Sequence, residues 1–364
     1  MIPKLIKQPT WGGFYILETK GWNEKSEFKN VKIGQSYELF GHSKFRLDTT
    51  STDDPLFIPE VGNADNETID PLPLTEGVQY AGLDQITAQP LPILIKVTQA
   101  LGNSFQLHVK PGTPSAHWKP KPETWFYFQD GLATCGLAPN ADVKAYRRCC
   151  EEISEFMKSL SEQIVASRLT VEEGTQQAQA FIKEKNPWQY VNTIHPKQDE
   201  VVDMSSGGIH HSWEEDKEKY PLGNILYEVQ LDAMDPVSTI RCFDQGKIKH
   251  DGTIRAIQID DYFTYLDTDP ERNKPNANIS KPSGKTVCQT PYYSLERLEI
   301  TTATSHTTGK SFAHFYVKSG VAKVTAPDGS VTVGTGHSCF IPQEVGEYSV
   351  ESTGGSCTLL KTFL

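Results

Sequence analysis

A mainly β protein of two strand-rich modules, the first interrupted by a pair of helices, is the fold class that this 364-residue chain predicts. Three observations carry that expectation. Short alternating or apolar runs, punctuated by Gly, Pro, Asn and Asp, fill residues 10 to 135, and such runs are strand chemistry. Proline is missing between about 140 and 186, where apolar residues recur at three- and four-residue spacing instead. Strand patterns then return and continue through the last eighty residues. The length also exceeds one comfortable core.

In order, the runs GGFYILETKG, SYELFG, LPILIKVTQALG, SFQLHVKPG and TWFYFQDG are expected as strands of the first module. The stretches DVKAYRRCCEEISEFMKSLSEQIVASRL and TVEEGTQQAQAFIKEK are expected as inserted helices, the second opened by a capping box of Thr170 and Glu173. Strands are expected again at DEVVDMSS, GNILYEVQLD, STIRCF, TIRAIQID and DYFTYL. The polar run DTDPERNKPNANISKPSGK reads as a linker or long loop. Beyond it, YYSLERLEITTA, SFAHFYVKSG, VAKVTAP, SVTVGTG, SCFIPQ, EYSVES and CTLLKTFL supply a second β module. The expected division is 1–140 and 187–265 for the two parts of the first module, 141–186 for the helical insertion and 266–364 for the C-terminal module.

Composition narrows the function. With 37% hydrophobic and 22% charged residues the chain has the make-up of a soluble globular protein, and its longest apolar runs fall far short of a membrane span. The N-terminus meets Lys4, Lys7 and Pro9 before an apolar core of signal-peptide length forms, so no export signal is expected. Seven cysteines, odd in number and without CxxC spacing, point to reduced thiols in a cytoplasmic protein. A formal charge of −11 repels nucleic acid and anionic membrane surfaces. An anionic small substrate would need a local cluster of Lys and Arg.

On a strand, Gln106 and His108 project to one face while Phe105, Leu107 and Val109 project to the other. Glu123 stands at the start of the TWFYF strand, able to bring a carboxylate to the same point, and His210 follows two glycines in SSGGIHHSW. Imidazole nitrogens, a carboxylate and an amide oxygen form a donor set that favours zinc over a thiolate-type site. Spacing alone leaves other readings open: the Gln-x-His pair as a hydrogen-bonded interior pair, His211 or His117 in place of His210, and Glu123 as a surface carboxylate paired with Lys121. Glu228 and Gln230 alternate toward one face, lining a pocket or serving structural hydrogen bonds. Asp232 and Asp235 either orient Arg241 or cap a loop, and Ser104, Lys247 and Arg255 are either phosphate ligands or solvated groups. The C-terminal module, with His314 its one imidazole in SFAHFYVKSG, is expected to be metal-free.

Several segments in order resemble the type I mannose-6-phosphate isomerases, a zinc-dependent family built on two cupin barrels. WGG at 11–13 matches that family's N-terminal WGG, and KIGQSYELFGH resembles its IGESWE-type segment. PILIKVTQALGNSFQLHVKPG is similar to its strand pair ending in Q-x-H-P, KPETW to its K-[PT]-E-x-W, and GGIHH to its G-T-x-H. NILYEVQLDAMDPVSTIRCFDQGK resembles I-x-E-I-Q…R-x-[YF]-D-x-G-R, and CFIP resembles the second barrel's F-[IL]-P. The resemblance implies two cupin (jelly-roll-like) β-barrels with a helical insertion in the first. It implies one Zn2+ per chain on Gln106, His108, Glu123 and His210, with Arg241 and Lys121 as active-site cations. It implies interconversion of mannose 6-phosphate and fructose 6-phosphate through an enediol. The partner would be a small sugar phosphate, without nucleic acid or membrane, and the protein a monomer or homodimer. Departures are local: MSSGG replaces a PAG turn, the segment between Gln230 and Arg241 is longer, Lys247 replaces an arginine, and Val109 and Lys110 separate His108 from Pro111. An iron dioxygenase or a non-catalytic sugar-binding bicupin are the competing readings, the first needing no lysine or arginine beside its metal.

Overall fold

The computed structural model describes residues 1–47, 51–54, 57–63, 75–212, 218–233 and 235–364. Seven strands position the site: β1 (Ile93–Ala100), β2 (Phe105–His108), β3 (Glu123–Tyr127), β4 (Ala133–Leu137), β5 (Gly208–Ser212), β6 (Asn224–Leu231) and β7 (Ile240–Phe243). One sheet of eight strands runs Ile279–Ser280, Val201–Asp203, β3, β6, β1, Ile33–Leu39, Lys4–Lys7, Glu60–Asn63. A second sheet of five runs Val191–Ile194, β4, β5, β2, β7, which leaves β7 at an edge.

Alternation decides what each sheet buries on which side. On the eight-stranded sheet Ile93, Ile95 and Val97 of β1, Phe126 of β3 and Ile225, Tyr227 and Val229 of β6 form one apolar face. It packs against Tyr293, Leu295, Tyr316 and Leu360 of the C-terminal module. On the five-stranded sheet Leu107, Ile209, Ile240 and Cys242 face the helices. The polar members of the same strands are left to the two opposing faces, where Glu123 of β3 comes within 3.2 Å of His108 of β2 and of His210 of β5.

The helix pair forms where its periodicity predicts. Helix α1 (Val143–Val165) starts at Asp142, whose carboxylate accepts the Lys144 and Ala145 N–H groups, satisfying donors the first turn leaves unpaired. Tyr146, Cys150, Ile153, Met157, Leu160 and Ile164 recur every three or four residues as its buried stripe. Helix α2 (Val171–Lys185) has the expected capping box of Thr170 and Glu173 and ends at Asn186 in a left-handed conformation.

Two expected strands are helices instead. Tyr15–Thr19 makes a single helical turn that buries Ile16 and Leu17, adjacent positions that a one-sided strand does not bury together. The run DYFTYL belongs to helix α3 (Ile259–Tyr265), and TIRAIQ before it has no regular structure. Ile259, Tyr262, Phe263 and Leu266 have the spacing of a helix face against the same core, and Asp260 and Asp261 occupy the first turn, where carboxylates suit the helix dipole. The polar stretch from 267 is tied down along its length: Asn273 Oδ1 accepts the Leu137 N–H at 2.7 Å, and Ile279–Ser280 pairs with Val201–Val202.

The C-terminal module has a five-stranded sheet (Thr286–Gln289, Ser294–Ile300, Cys357–Phe363, Ala313–Ser319, Ser338–Ile341) and a four-stranded one (Thr304–Thr307, Glu347–Ser352, Val321–Ala326, Gly329–Gly334). Phe315, Val317, Val324, Val333, Val350 and Leu359 form its core. The chain is therefore mainly β. All seven cysteines are free thiols. Among the described residues no helix is long and apolar enough to cross a membrane.

Candidate metal centre

Strand register assembles the site before any side chain is placed. Arg241 of β7 lies opposite Gln106 of β2, which lies opposite His210 of β5, which lies opposite Cys135 of β4. Residues opposed across a sheet share a face, so this row sits on one surface, with His108 two residues from Gln106 on the same side. On the facing sheet Gln230 is opposite Glu123, and Glu228 is opposite both Trp125 and Lys96.

His108, Glu123 and His210 are buried, and one donor atom of each lies within 4.8 Å of the others. The ring tautomers follow from their partners. His108 Nδ1 donates to the Ser238 carbonyl at 2.6 Å, and His210 Nδ1 donates to the Gly208 carbonyl at 3.1 Å. A carbonyl only accepts, so each neutral imidazole is left with its Nε2 lone pair pointing at Glu123. Burial and the Lys121 ammonium push the His108 imidazole down to about 4, which keeps it neutral near neutral pH. Burial alone would raise the Glu123 carboxyl, but Lys121, His210 and His108 together outweigh it and hold it well below the usual carboxylate range. The neutral His108 thus aims a lone pair at an ionised carboxylate that also faces His210 Nε2, and a cation at that point satisfies the donors that converge there.

Gln106 lies beside these three. Its amide lies with Nε2 3.0 Å from His210 Nε2, and a half-turn of the amide puts Oε1 at that place. Glu123 is further fixed by the Trp125 indole, which donates to Oε1 at 3.0 Å. Lys121 Nζ lies 3.3 Å from Glu123 Oε2, so the pair noted in the sequence exists but is buried, with 8% and 3% side-chain exposure. Arg241 donates through Nε to Ser104 Oγ at 3.0 Å and through Nη1 to the Thr239 carbonyl at 3.4 Å.

The competing histidines lie elsewhere. His211 alternates to the opposite face, its ring 4.0 Å from that of Phe105 and hydrogen-bonded to the Thr134 hydroxyl. Burial first, then Lys247 and His210, push it well below the ordinary imidazole value. His117 is exposed against Trp118. Asp232 caps a loop, accepting the Gly41 N–H at 2.8 Å, and the Asp235 side chain falls outside the described residues. Lys247 donates to the Gly102 carbonyl at 2.6 Å, and Arg255 pairs with Asp244 at 3.7 Å.

One feature escaped the sequence reading. Lys96 and Glu228, both buried, form a 2.7 Å ion pair on the inner face of the large sheet, two positions along β6 from Gln230, whose Oε1 is buried without a hydrogen-bond partner. The signal was present in ILIKV, where alternation sends the lysine to the side away from its isoleucines. Among the described residues His108, Glu123 and His210 form the one group of metal-binding side chains this close together.

The class follows first from the C-terminal module. Residues 283–361 match the family model described as mannose-6-phosphate isomerase, cupin domain, so this part of the chain is similar to a cupin domain. The whole chain then shares the fold of proteins bearing the same description. It superposes on the mannose 6-phosphate isomerase of Bacillus subtilis with a TM-score of 0.63 at 14% identity, over 100% of this chain and 98% of that one. A putative mannosephosphate isomerase from Archaeoglobus fulgidus gives 0.58 at 15%, covering 99% and 95%. A zinc-bound mannose 6-phosphate isomerase gives 0.61 at 14%, covering 100% and 98%. No curated protein matches the chain by sequence. The resemblance read from the motifs thus has a counterpart in the C-terminal sequence and in the fold from end to end.

Proposed function

We propose that the protein is a zinc-dependent aldose–ketose isomerase that interconverts mannose 6-phosphate and fructose 6-phosphate through an enediol. The observation that carries this reading is the convergence of His108, Glu123 and His210, from three separate strands, beside the two buried or half-buried cations Lys121 and Arg241. The solved isomerases of the same fold, one of them zinc-bound, support it. In this reading residues 1–140 and 187–265 form a catalytic cupin barrel carrying 141–186 as a helical insertion, and 266–364 form a second, metal-free barrel. The seven free thiols support a cytoplasmic location, and in this reading the enzyme acts, as monomer or homodimer, on a small sugar phosphate alone.

The donor set fits zinc: two neutral imidazoles, one carboxylate and an amide oxygen, with both imidazoles oriented by carbonyls behind them. One Zn2+ per chain held by Gln106, His108, Glu123 and His210 would supply Lewis-acid polarisation of the sugar's C1 and C2 oxygens. The chain's own residues do the rest. Lys121, tethered to Glu123, presents an ammonium to the negative charge that grows on those oxygens. Arg241, aligned by Ser104, offers a fixed guanidinium from the opposite sheet. Glu228 and Lys96 pair with each other at 2.7 Å on the inner face, so that pair adds no net charge there.

The test is metal analysis of the purified protein together with conversion of mannose 6-phosphate to fructose 6-phosphate. About one zinc per chain and activity that chelation removes and zinc restores are expected. Stoichiometric iron with oxygen consumption, or a metal-free protein that binds sugar phosphate without turnover, would overturn the reading in favour of a competitor.

A further inference from the structure

We infer that Gln258 is a positioning residue for Arg241: it locks the edge strand that carries the arginine and thereby sets the guanidinium's place in the site. The inference rests on the catalytic reading of Arg241 given above. Its basis is an edge problem. Among the described residues β7 ends the five-stranded sheet and pairs with β2 alone, so the outward N–H and C=O groups of β7 need partners from outside the sheet.

At Arg241 both come from one residue. The Gln258 N–H donates to the Arg241 carbonyl at 2.7 Å, and Gln258 Oε1 accepts the Arg241 N–H at 3.1 Å. This reproduces a strand pair with a single residue, using a side-chain oxygen where the next strand would offer a carbonyl. Gln258 occupies the cap position of α3 yet makes no side-chain cap to that helix. Capping is a role that Ser, Thr, Asp or Asn fills better, and here the amide is spent on β7. Its Nε2 reaches back to the Ala256 carbonyl at 3.5 Å, which sets the oxygen toward Arg241.

Packing holds part of β7 from behind: Cys242 is fully buried, its Sγ 3.4 Å from the Tyr146 hydroxyl, and the Phe243 ring meets those of Phe105 and Trp188. On the face opposite Arg241 a cavity of about 600 Å³ opens between Cys242 and Phe243 of β7, Ile153 and Met157 of α1, and the irregular segment ending at Gln258. Packing and the Gln258 tie therefore act together on this strand. The tie gains its rigidity from α3, whose Tyr262 is fully buried and meets the Tyr146 hydroxyl of α1 at 3.1 Å. The inserted helix pair thus reaches the site through Tyr146, α3, Gln258 and the β7 backbone. On the inner side Ser104 fixes the guanidinium itself, so the backbone tie and the side-chain tie act on the same residue from two directions.

The experiment is steady-state kinetics on mannose 6-phosphate with metal content and thermal stability measured in parallel, for Gln258→Leu, Gln258→Glu, Arg241→Ala and the double variant Gln258→Leu/Arg241→Ala. Gln258→Leu keeps the size but loses the acceptor, and should lower kcat about tenfold while metal content stays at the parental value. Gln258→Glu retains an acceptor oxygen and should recover most of that loss, which a space-filling role does not predict. In the Arg241→Ala background the leucine change should cost nothing further, because the two act as one unit. A parental kcat in Gln258→Leu, equal losses in the leucine and glutamate variants, or a full additional loss in the double variant would each overturn the positioning role while leaving Arg241's own role intact. Parental activity in Arg241→Ala would instead overturn the catalytic reading, and this inference with it. Should Gln258→Leu not fold, the glutamate variant compared with Gln258→Asn, whose shorter arm cannot reach the Arg241 N–H, carries the same comparison.

Discussion

At the scale of single residues, what distinguishes this site from a buried polar cluster is the direction of its lone pairs. Both histidines spend Nδ1–H on a carbonyl and aim Nε2 at a carboxylate. Without a cation the neutral His108 Nε2 faces a carboxylate oxygen with no proton between them, an arrangement that costs free energy in a low-dielectric interior. His108→Ala and His210→Ala should therefore lose metal and activity together, as plasma emission and isomerase assays on the same samples would show. His211→Asn serves as the contrast. It breaks a buried hydrogen bond behind the sheet, and should lower stability by about 1–3 kcal/mol while metal content stays at the parental level. Metal loss in this variant would mean that the face assignment of β5 is wrong. The cations obey a different rule. Arg241→Ala should lower kcat by roughly a hundredfold or more, and Arg241→Lys should not fully rescue it, because an ammonium cannot reproduce the planar fork aligned on Ser104. Lys121→Ala should impair binding, turnover or both with zinc retained. Changes within about twofold, the expectation for surface substitutions, would reduce both to bystanders.

Elements translate local sequence into that geometry, and here it becomes clear what the sequence reveals. Period-two alternation in SFQLHVK placed Gln106 and His108 on one face and Phe105, Leu107 and Val109 on the other, and the core contacts agree. Periodicity also found α1 and α2, down to the Thr170–Glu173 capping box. It failed at α3, where TIRAIQID and DYFTYL alternate well enough to pass as strands and the helical stripe is shorter than two full turns. Propensity is a weak prior at that length, and packing against Tyr146 decides. Nor could alternation foresee that Ser238's carbonyl would orient His108, because a backbone acceptor carries no sequence signature. The turn before β5 was legible in kind: two glycines in SSGG signal a special backbone. Gly207 has φ +76°, and a Cβ there would stand 2.7 Å from the His108 carbonyl oxygen. Gly207→Ala should therefore shift the β2–β5 register that aligns His108 with His210, costing about 1–3 kcal/mol in strain and weakening zinc retention. Equilibrium unfolding and a zinc-chelator competition would check both halves. An alanine variant with parental stability and affinity would mean that the turn does not govern the ligands.

For the whole molecule the decisive fact is that the two modules share buried polar chemistry, not only an apolar seam. Lys20, with 2% side-chain exposure, donates to Glu38 at 2.7 Å and to the Gly336 carbonyl, while Ser338 Oγ donates to the other Glu38 oxygen at 2.7 Å. Two imidazoles of the C-terminal module lie in the same layer. His314 meets the Tyr227 hydroxyl of β6, and His337 lies against Trp22 and Phe57 with its Nε2 donating to the Lys20 carbonyl. Burial first, with the nearby Lys20 ammonium adding to it, pushes each imidazole down to about 3. The sign follows from linkage. In the unfolded chain these histidines take up protons below about pH 6.5, and in the folded protein they do not. Above that pH they leave stability unchanged. As pH falls from about 6.5 toward 3 each removes up to about 1.4 kcal/mol of stability per pH unit, because the unfolded state binds the extra proton. Replacing His337 by Gln takes one such group out of the balance. The loss of unfolding free energy between pH 7.5 and pH 5.0 should then shrink by about 2 kcal/mol relative to the parent, whatever the substitution does to stability at pH 7.5. Urea unfolding at the two pH values, followed by tryptophan fluorescence, measures it. A pH dependence identical to the parent's in both His337→Gln and His314→Gln would show that these imidazoles titrate normally in the folded protein, and that the layer joining the modules is wet.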